Sequence, residues 1–251
     1  MIANIYLLVF HGSRDERSQS AAAKLTDIVR QELSRHGSGA IVEKAFLELT
    51  PIPLHEVIKS LAHRGKIIGA SRLYIVPLFL LPGVHVRVDI PAEIKLAGGN
   101  TGVELFLCDY LGDYGGIISL MAQKFDGLRG GGRILLSHGT RRTEGIEKVN
   151  TLARGLGAAI PAYWAVSPRL ETGIETLARR GEKIIHIAPY FLFQGGITDA
   201  IAGEVGLLQD KYMGLKLNLL EPLGADVKLA RIISEELYGI GDRSISSIGK
   251  G

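Results

Sequence analysis

The second half of this chain repeats the first. The run Ile134-Leu135-Leu136-Ser137-His138-Gly139-Thr140-Arg141 echoes the stretch from Tyr6 to Arg14. Ala45-Phe46, followed by Pro51, is answered by Ala162-Tyr163, followed by Pro168. Pro77-Leu78-Phe79-Leu80-Leu81-Pro82-Gly83 is answered by Pro189-Tyr190-Phe191-Leu192-Phe193-Gln194-Gly195. Pro77 and Pro189 lie 112 residues apart, as do Leu111-Gly112 and Leu223-Gly224, so aligning those landmarks needs no gap. Matching chemistry at a fixed offset marks an internal duplication, which restricts the fold to two copies of one plan. Arg129-Gly130-Gly131-Gly132 is the natural joint, giving repeats over 1–128 and 129–240. The segment 241–251 continues a Gly/Ser-rich stretch that begins near Gly239 and is expected to fray.

Within a repeat, short apolar runs alternate with helical patterns. Ile5–Phe10 is continuously apolar and rich in branched and aromatic residues, as a strand buried on both faces must be. Leu25, Ile28, Val29 and Leu33 then fall on one helical face, with Ser18 or Ser20 as the expected N-cap. Strand-like runs follow at Ala40–Leu47, Arg72–Leu80 and Gly102–Leu107, with helical patterns around Leu54–Ile68, Asp89–Leu96 and beyond Gly112. This βαβ succession predicts an α/β fold of two pseudo-symmetric halves, each a parallel sheet with helices on both faces.

Ligands of open parallel sheets bind beyond the carboxyl ends of the strands. In the first half those ends carry His11-Gly12-Ser13-Arg14, Glu48, Gly83-Val84-His85-Val86-Arg87 and Cys108-Asp109. A solitary strand-end histidine is ordinarily a turn or packing residue, and a strand-end carboxylate is commonly solvated or capping. Here two imidazoles and the Glu48 carboxylate converge on one edge from three strands. A borderline divalent metal needs that donor set, with coordination positions left open for a substrate. Neutral imidazoles at His11 and His85 can ligate the ion and accept protons, and Glu48 can complete the site or relay protons. Arg14, Arg87 and Arg141 sit in loops suited to bidentate carboxylate recognition. The backbone N–H groups of Gly12 and Ser13 would add an anion-binding corner if they opened the following helix. Cys108 reads as a small apolar packing residue.

These strings resemble a known family. His11-Gly12-Ser13-Arg14, Ala45-Phe46-Leu47-Glu48-Leu49, Val76-Pro77-Leu78-Phe79-Leu80 and Gly83-Val84-His85-Val86-Arg87-Val88-Asp89-Ile90-Pro91 look like the class II chelatases of the CbiX/SirB type. The resemblance implies two four-stranded parallel sheets with flanking helices and a cleft between the halves. It implies ATP-independent insertion of Co²⁺ or Fe²⁺ into the polycarboxylate tetrapyrrole sirohydrochlorin, on the way to cobalamin or sirohaem. The family histidines carry over to His11 and His85 and the acidic position to Glu48, as catalytic and metal-binding residues. No cofactor is implied beyond the divalent metal substrate, for which ligand softness admits Co²⁺, Fe²⁺ and Ni²⁺. The second half departs from the pattern: His138 keeps the first histidine, but Ile197 stands at the position of His85 and Ala165 near that of Glu48. One active site, owned by the first half, is therefore expected, with His138 and Arg141 helping to hold the substrate.

Other readings are weaker or excluded. Arg35-His36-Gly37 is the string of histidine phosphatases, but it falls at the end of a helical pattern, where His suits the dipole and Gly the C-cap. The loop from His11 to Asp15 lacks G-x-G-x-x-G, and no Walker A string occurs. A formal charge of +3 over 251 residues, without a basic stripe interleaved with aromatics, argues against nucleic acid as a partner. One cysteine permits neither an internal disulfide nor an iron–sulfur cluster held within one chain. Ile5–Phe10 is too short for a membrane span or a signal core, so a cytosolic, soluble protein is expected, and two pseudo-symmetric halves in one chain suit a monomer. The non-enzymatic alternative is a metal-delivery or tetrapyrrole-binding protein using the same two histidines.

Overall fold

A computed structural model describes residues 4–35, 39–98 and 101–240. His36 and Gly37 of the phosphatase-like string, and the segment 241–251, lie outside the described residues. The chain forms two four-stranded, all-parallel sheets with helices packed on them, in the order expected from the sequence.

The first sheet contains β1 (Ile5–Phe10), β2 (Ile41–Phe46), β3 (Arg72–Pro77) and β4 (Glu104–Leu107), in the spatial order β2-β1-β3-β4. β1 is central and every residue of it is buried, which explains its unbroken apolar run. β2, at the edge, leaves Glu43 and Lys44 in contact with solvent. One face buries Ile5, Leu7 and Val9 against Leu54, Ile58 and Leu61 of α2 (Leu54–Ile67) and Ile90 and Ile94 of α3 (Ile90–Ala97). A ring stack, Tyr6 on Tyr74 at 5.2 Å and Tyr74 on Phe106 at 5.4 Å, lies on the alternate residues of the strands. α1 (Glu16–Arg35) buries Leu25, Val29 and Leu33 at helical spacing. Its start differs from expectation. The helix opens at Glu16, and the Asp15 carboxylate accepts the Arg17 N–H at 2.9 Å, so Ser18 and Ser20 lie inside the helix. Pro53 offers α2 no side-chain cap, and Glu93 of α3 supplies one by accepting the His55 N–H at 2.8 Å.

The second sheet repeats the plan with β5 (Gly132–Ser137), β6 (Ile160–Tyr163), β7 (Ile184–Tyr190) and β8 (Lys216–Leu219), in the order β6-β5-β7-β8. Ile134 and Leu136 pack against α6 (Leu170–Arg179) and α7 (Gly196–Lys211).

The compact units do not coincide with the sequence repeats. Among the described residues, those of 4–114 and 225–240 form one unit and those of 115–224 the other. α4 (Gly116–Gln123) closes the first repeat in sequence but belongs to the second unit, where it packs on α5 (Thr143–Gly155). α8 (Val227–Ile240) closes the second repeat but belongs to the first unit, where it packs on α1. Arg231 of α8 pairs with the buried Glu32 of α1 at 3.4 Å, and the Tyr6 hydroxyl donates to the Leu237 carbonyl at 3.4 Å. Among the described residues, no helix is long and apolar enough to cross a membrane.

Candidate metal site

Three side chains meet at the carboxyl edge of the first sheet, each delivered by a different strand. The β1–β2 ladder runs one step past both strands, with Leu47 N–H donating to Phe10 O at 2.8 Å and Glu48 N–H to His11 O at 2.9 Å. That extension holds His11 and Glu48 side by side. It also brings the Glu48 carbonyl against Gly12, whose φ is +107°. A Cβ there would stand 2.0 Å from that oxygen, so the position admits only glycine. Leu49, next to Glu48, has a φ of +54°, a strained setting for a bulky residue.

His85 arrives after β3, at the first position of a π-turn over His85–Asp89 that leads directly into α3. The Ile90 N–H reaches back five residues to the His85 carbonyl. Pro91 has no N–H and clashes with a regular α-helical carbonyl four residues earlier, which favours the widened turn in front of it.

The ligand atoms of His11, Glu48 and His85 all lie within 4.8 Å of one another. The two imidazole rings meet edge to face with centroids 4.7 Å apart, and Phe79 walls them at 6.1 Å from His11 and 6.0 Å from His85. The His85 Nδ1 is 3.8 Å from Glu48 Oε1. His11 and Glu48 are exposed and His85 is half-buried, so the cluster is open to a ligand. Among the described residues this is the one group of three or more His, Cys, Asp or Glu side chains able to hold a metal. Two nitrogens and a carboxylate suit Zn²⁺-like and first-row divalent ions, with positions left for a substrate.

The remaining predicted residues are placed as follows. Gly12 and Ser13 lie beside His11 but do not open α1, which starts at Glu16. In the first turn the Arg17 N–H is taken by the Asp15 carboxylate, itself held ionised by the Arg17 side chain, so the anion-binding corner expected there is not formed. Ser13 Oγ accepts the Asp15 N–H at 3.0 Å. Arg14 and Arg87 are exposed near the cluster's loops, Arg87 with its guanidinium 6.0 Å from the Tyr110 ring centre. His138 and Arg141 are exposed beyond β5 in the second unit. There the Ala165 N–H donates to the His138 carbonyl at 2.9 Å, the same bond Glu48 makes to His11, so Ala165 stands where the carboxylate would be. Cys108 is buried, as a packing residue would be.

One neighbour of the cluster escaped the sequence reading. Asp89 Oδ2 lies 2.7 Å from His85 Nδ1. The i,i+4 spacing of His85 and Asp89 on a helical pattern was the available signal.

Two repeated parallel α/β units, one of them carrying an open cluster of two histidines and a carboxylate, define a divalent-metal-handling protein with room for a second ligand. A family model described as CbiX matches residues 5–127 and 132–239, and the chain belongs to the CbiX family. The sirohydrochlorin ferrochelatase of Priestia megaterium is 26% identical over 244 residues, spanning 92% of this chain and 88% of its own length. The sirohydrochlorin cobaltochelatase of the same organism is 22% identical over 254 residues, spanning 91% and 77%. The solved structure of SirB from Bacillus subtilis with Fe³⁺ shares the fold, with a TM-score of 0.75 at 21% identity over 95% of each chain.

Proposed function

We propose that this protein inserts a divalent metal, Co²⁺ or Fe²⁺, into sirohydrochlorin, as the names of its relatives say of them. The observation that carries the reading is the open convergence of His11, Glu48 and His85 within 4.8 Å. Insertion exchanges M²⁺ for the two pyrrole N–H protons of the macrocycle. The imidazoles of His11 and His85 strip water from the ion and present it, and the protons leave to the freed imidazoles or the Glu48 carboxylate. The metal is a substrate here, and the reading calls for no resident cofactor.

The surroundings suit a flat ring with acidic edges. Leu49, Ile52, Val84 and Val88 are each about half exposed, and all lie within four residues of Glu48 or His85. Exposed apolar groups of that size are where a macrocycle face can shed water. Arg14 and Arg87, exposed in the loops that carry His11 and His85, receive its peripheral carboxylates through paired N–H donors. We assign the protein to the cytosol, acting as a monomer that carries both repeats in one chain.

The test is anaerobic incubation of the protein with sirohydrochlorin and each metal, following the absorbance of the metallated product. Wild type should turn over many times, and His11→Ala and His85→Ala should fall to the spontaneous rate. A single stoichiometric turnover would point to a metal-delivery or tetrapyrrole-binding protein instead. Full activity in His85→Ala would overturn the assignment of the site.

A further inference from the structure

We propose that Asp89 is a positioning residue that fixes the tautomer and aim of His85; this rests on the metal-site reading above. A metal-bound imidazole needs one nitrogen with a free lone pair, and its other nitrogen settles which one that is. A carboxylate only accepts hydrogen bonds, so the 2.7 Å contact from His85 Nδ1 to Asp89 Oδ2 requires the proton on Nδ1. Nε2 is then the lone pair offered to the metal. His11 follows the same rule by a different means, its Nδ1 lying 3.1 Å from the Gly12 carbonyl. Both imidazoles are thus locked through Nδ1, one by a backbone carbonyl and one by an anion that also raises the ligand's basicity.

The second repeat supplies an internal control. Pro77 and Pro189, and Gly83 and Gly195, lie 112 residues apart. The buried residues of the following helices lie only 111 apart: Ile90 and Ile201, Ile94 and Val205, Ala97 and Leu208. The first repeat therefore holds one extra residue between its glycine and its core positions, and the π-turn is where it is accommodated. Across that insertion His85 corresponds to Ile197 and Asp89 to Ala200, and α7 runs as an uninterrupted α-helix. The histidine kept in the second repeat, His138, also keeps its acceptor, with Nδ1 at 3.2 Å from Gly139 O. The histidine missing from the second repeat is missing together with its carboxylate partner.

The experiment is Co²⁺ binding without tetrapyrrole, read by titration and by the visible spectrum of the bound ion, on the full chain. Asp89→Ala should bind Co²⁺ about 10–100-fold more weakly, the range for lost partners of metal-bound histidines, with Tm unchanged. Asp89→Asn, whose amide oxygen can still accept from Nδ1, should recover part of that loss. Equal affinity of wild type and Asp89→Ala overturns the proposal, as does a loss that Asp89→Asn shares in full or that tracks a fall in Tm. If His11→Ala binds Co²⁺ as well as wild type, the metal-site reading fails and this one with it. If wild type binds Co²⁺ but does not insert it, while Asp89→Ala still binds more weakly, only the proposed reaction fails.

Discussion

At the scale of single residues, the site is built as much by what is missing as by what is present. Gly12 has no side chain because the Glu48 carbonyl occupies the place a Cβ would take, 2.0 Å away. Gly12→Ala must therefore part β1 from β2 where His11 and Glu48 are held. It should cost about 1–3 kcal/mol in stability and about 10–100-fold in Co²⁺ affinity, measured by urea unfolding and metal titration. An Ala variant that binds the metal normally would show that the close approach is not needed. Cys108 makes a prediction about alkaline pH. Burial, with a smaller push from Asp109, raises its thiol to about 12. The unfolded chain gives up that proton first, near an ordinary cysteine pKa of about 8.5. The resulting stability is complete below that pH and is lost as pH climbs towards about 12. Burial also raises Tyr6 and Tyr114, which act in the same direction. Cys108→Ala should flatten the fall in unfolding free energy between about pH 9 and pH 11, and an unchanged slope would refute it.

At the scale of elements, the π-turn over His85–Asp89 decides which way His85 points. One residue of an α-helix spans about 100°, so an inserted residue turns everything before it by that angle relative to the core stripe behind it. Deleting Val88, which is half exposed, should convert the turn to regular α-helix while leaving Ile90, Ile94 and Ala97 seated. The expected result is a chain with near-normal Tm that no longer binds Co²⁺, because His85 has rotated away from His11. Retained binding would show that the turn adapts. The insertion illustrates what sequence could and could not disclose. The strands and their order of appearance were legible because a doubly buried strand such as Ile5–Phe10 has to be apolar throughout. His11, Glu48 and His85 were legible because strand ends in a parallel sheet share one edge. The slip from an offset of 112 to 111 was not, since it appears only once the buried positions of α3 and α7 are known. The N-terminus of α1 was misplaced for a local reason: Asp15, Ser18 and Ser20 are all competent caps, and composition alone does not rank them.

At the scale of the whole molecule, the duplication was plain in the sequence but the trading of α4 and α8 was not. An amphipathic helix carries no label for the sheet it covers, and either unit offers a suitable apolar face. The trade gives α8 a disproportionate role. Its Leu229, Ile233 and Leu237 are fully buried in the first unit, and each is worth about 1.5–3 kcal/mol on burial. Their sum approaches the whole stability of an ordinary domain, about 5–15 kcal/mol. A chain ending at Gly224 keeps His11, Glu48 and His85 yet should lose Co²⁺ binding and the cooperative unfolding of its first unit. Circular dichroism and metal titration read both, and tight Co²⁺ binding by that shortened chain would contradict the argument. The same arrangement sets an order of events on the ribosome. The strands of the first sheet are all made once Leu107 has been added, but the helix that covers α1 is the last described element of the chain. At roughly 5–20 residues per second, the unit that carries His11, Glu48 and His85 stays open for about 7–27 s while the second repeat is translated. A premature stop in the second repeat would then be reported at the opposite end of the polypeptide, as an unclosed first unit exposed to proteases.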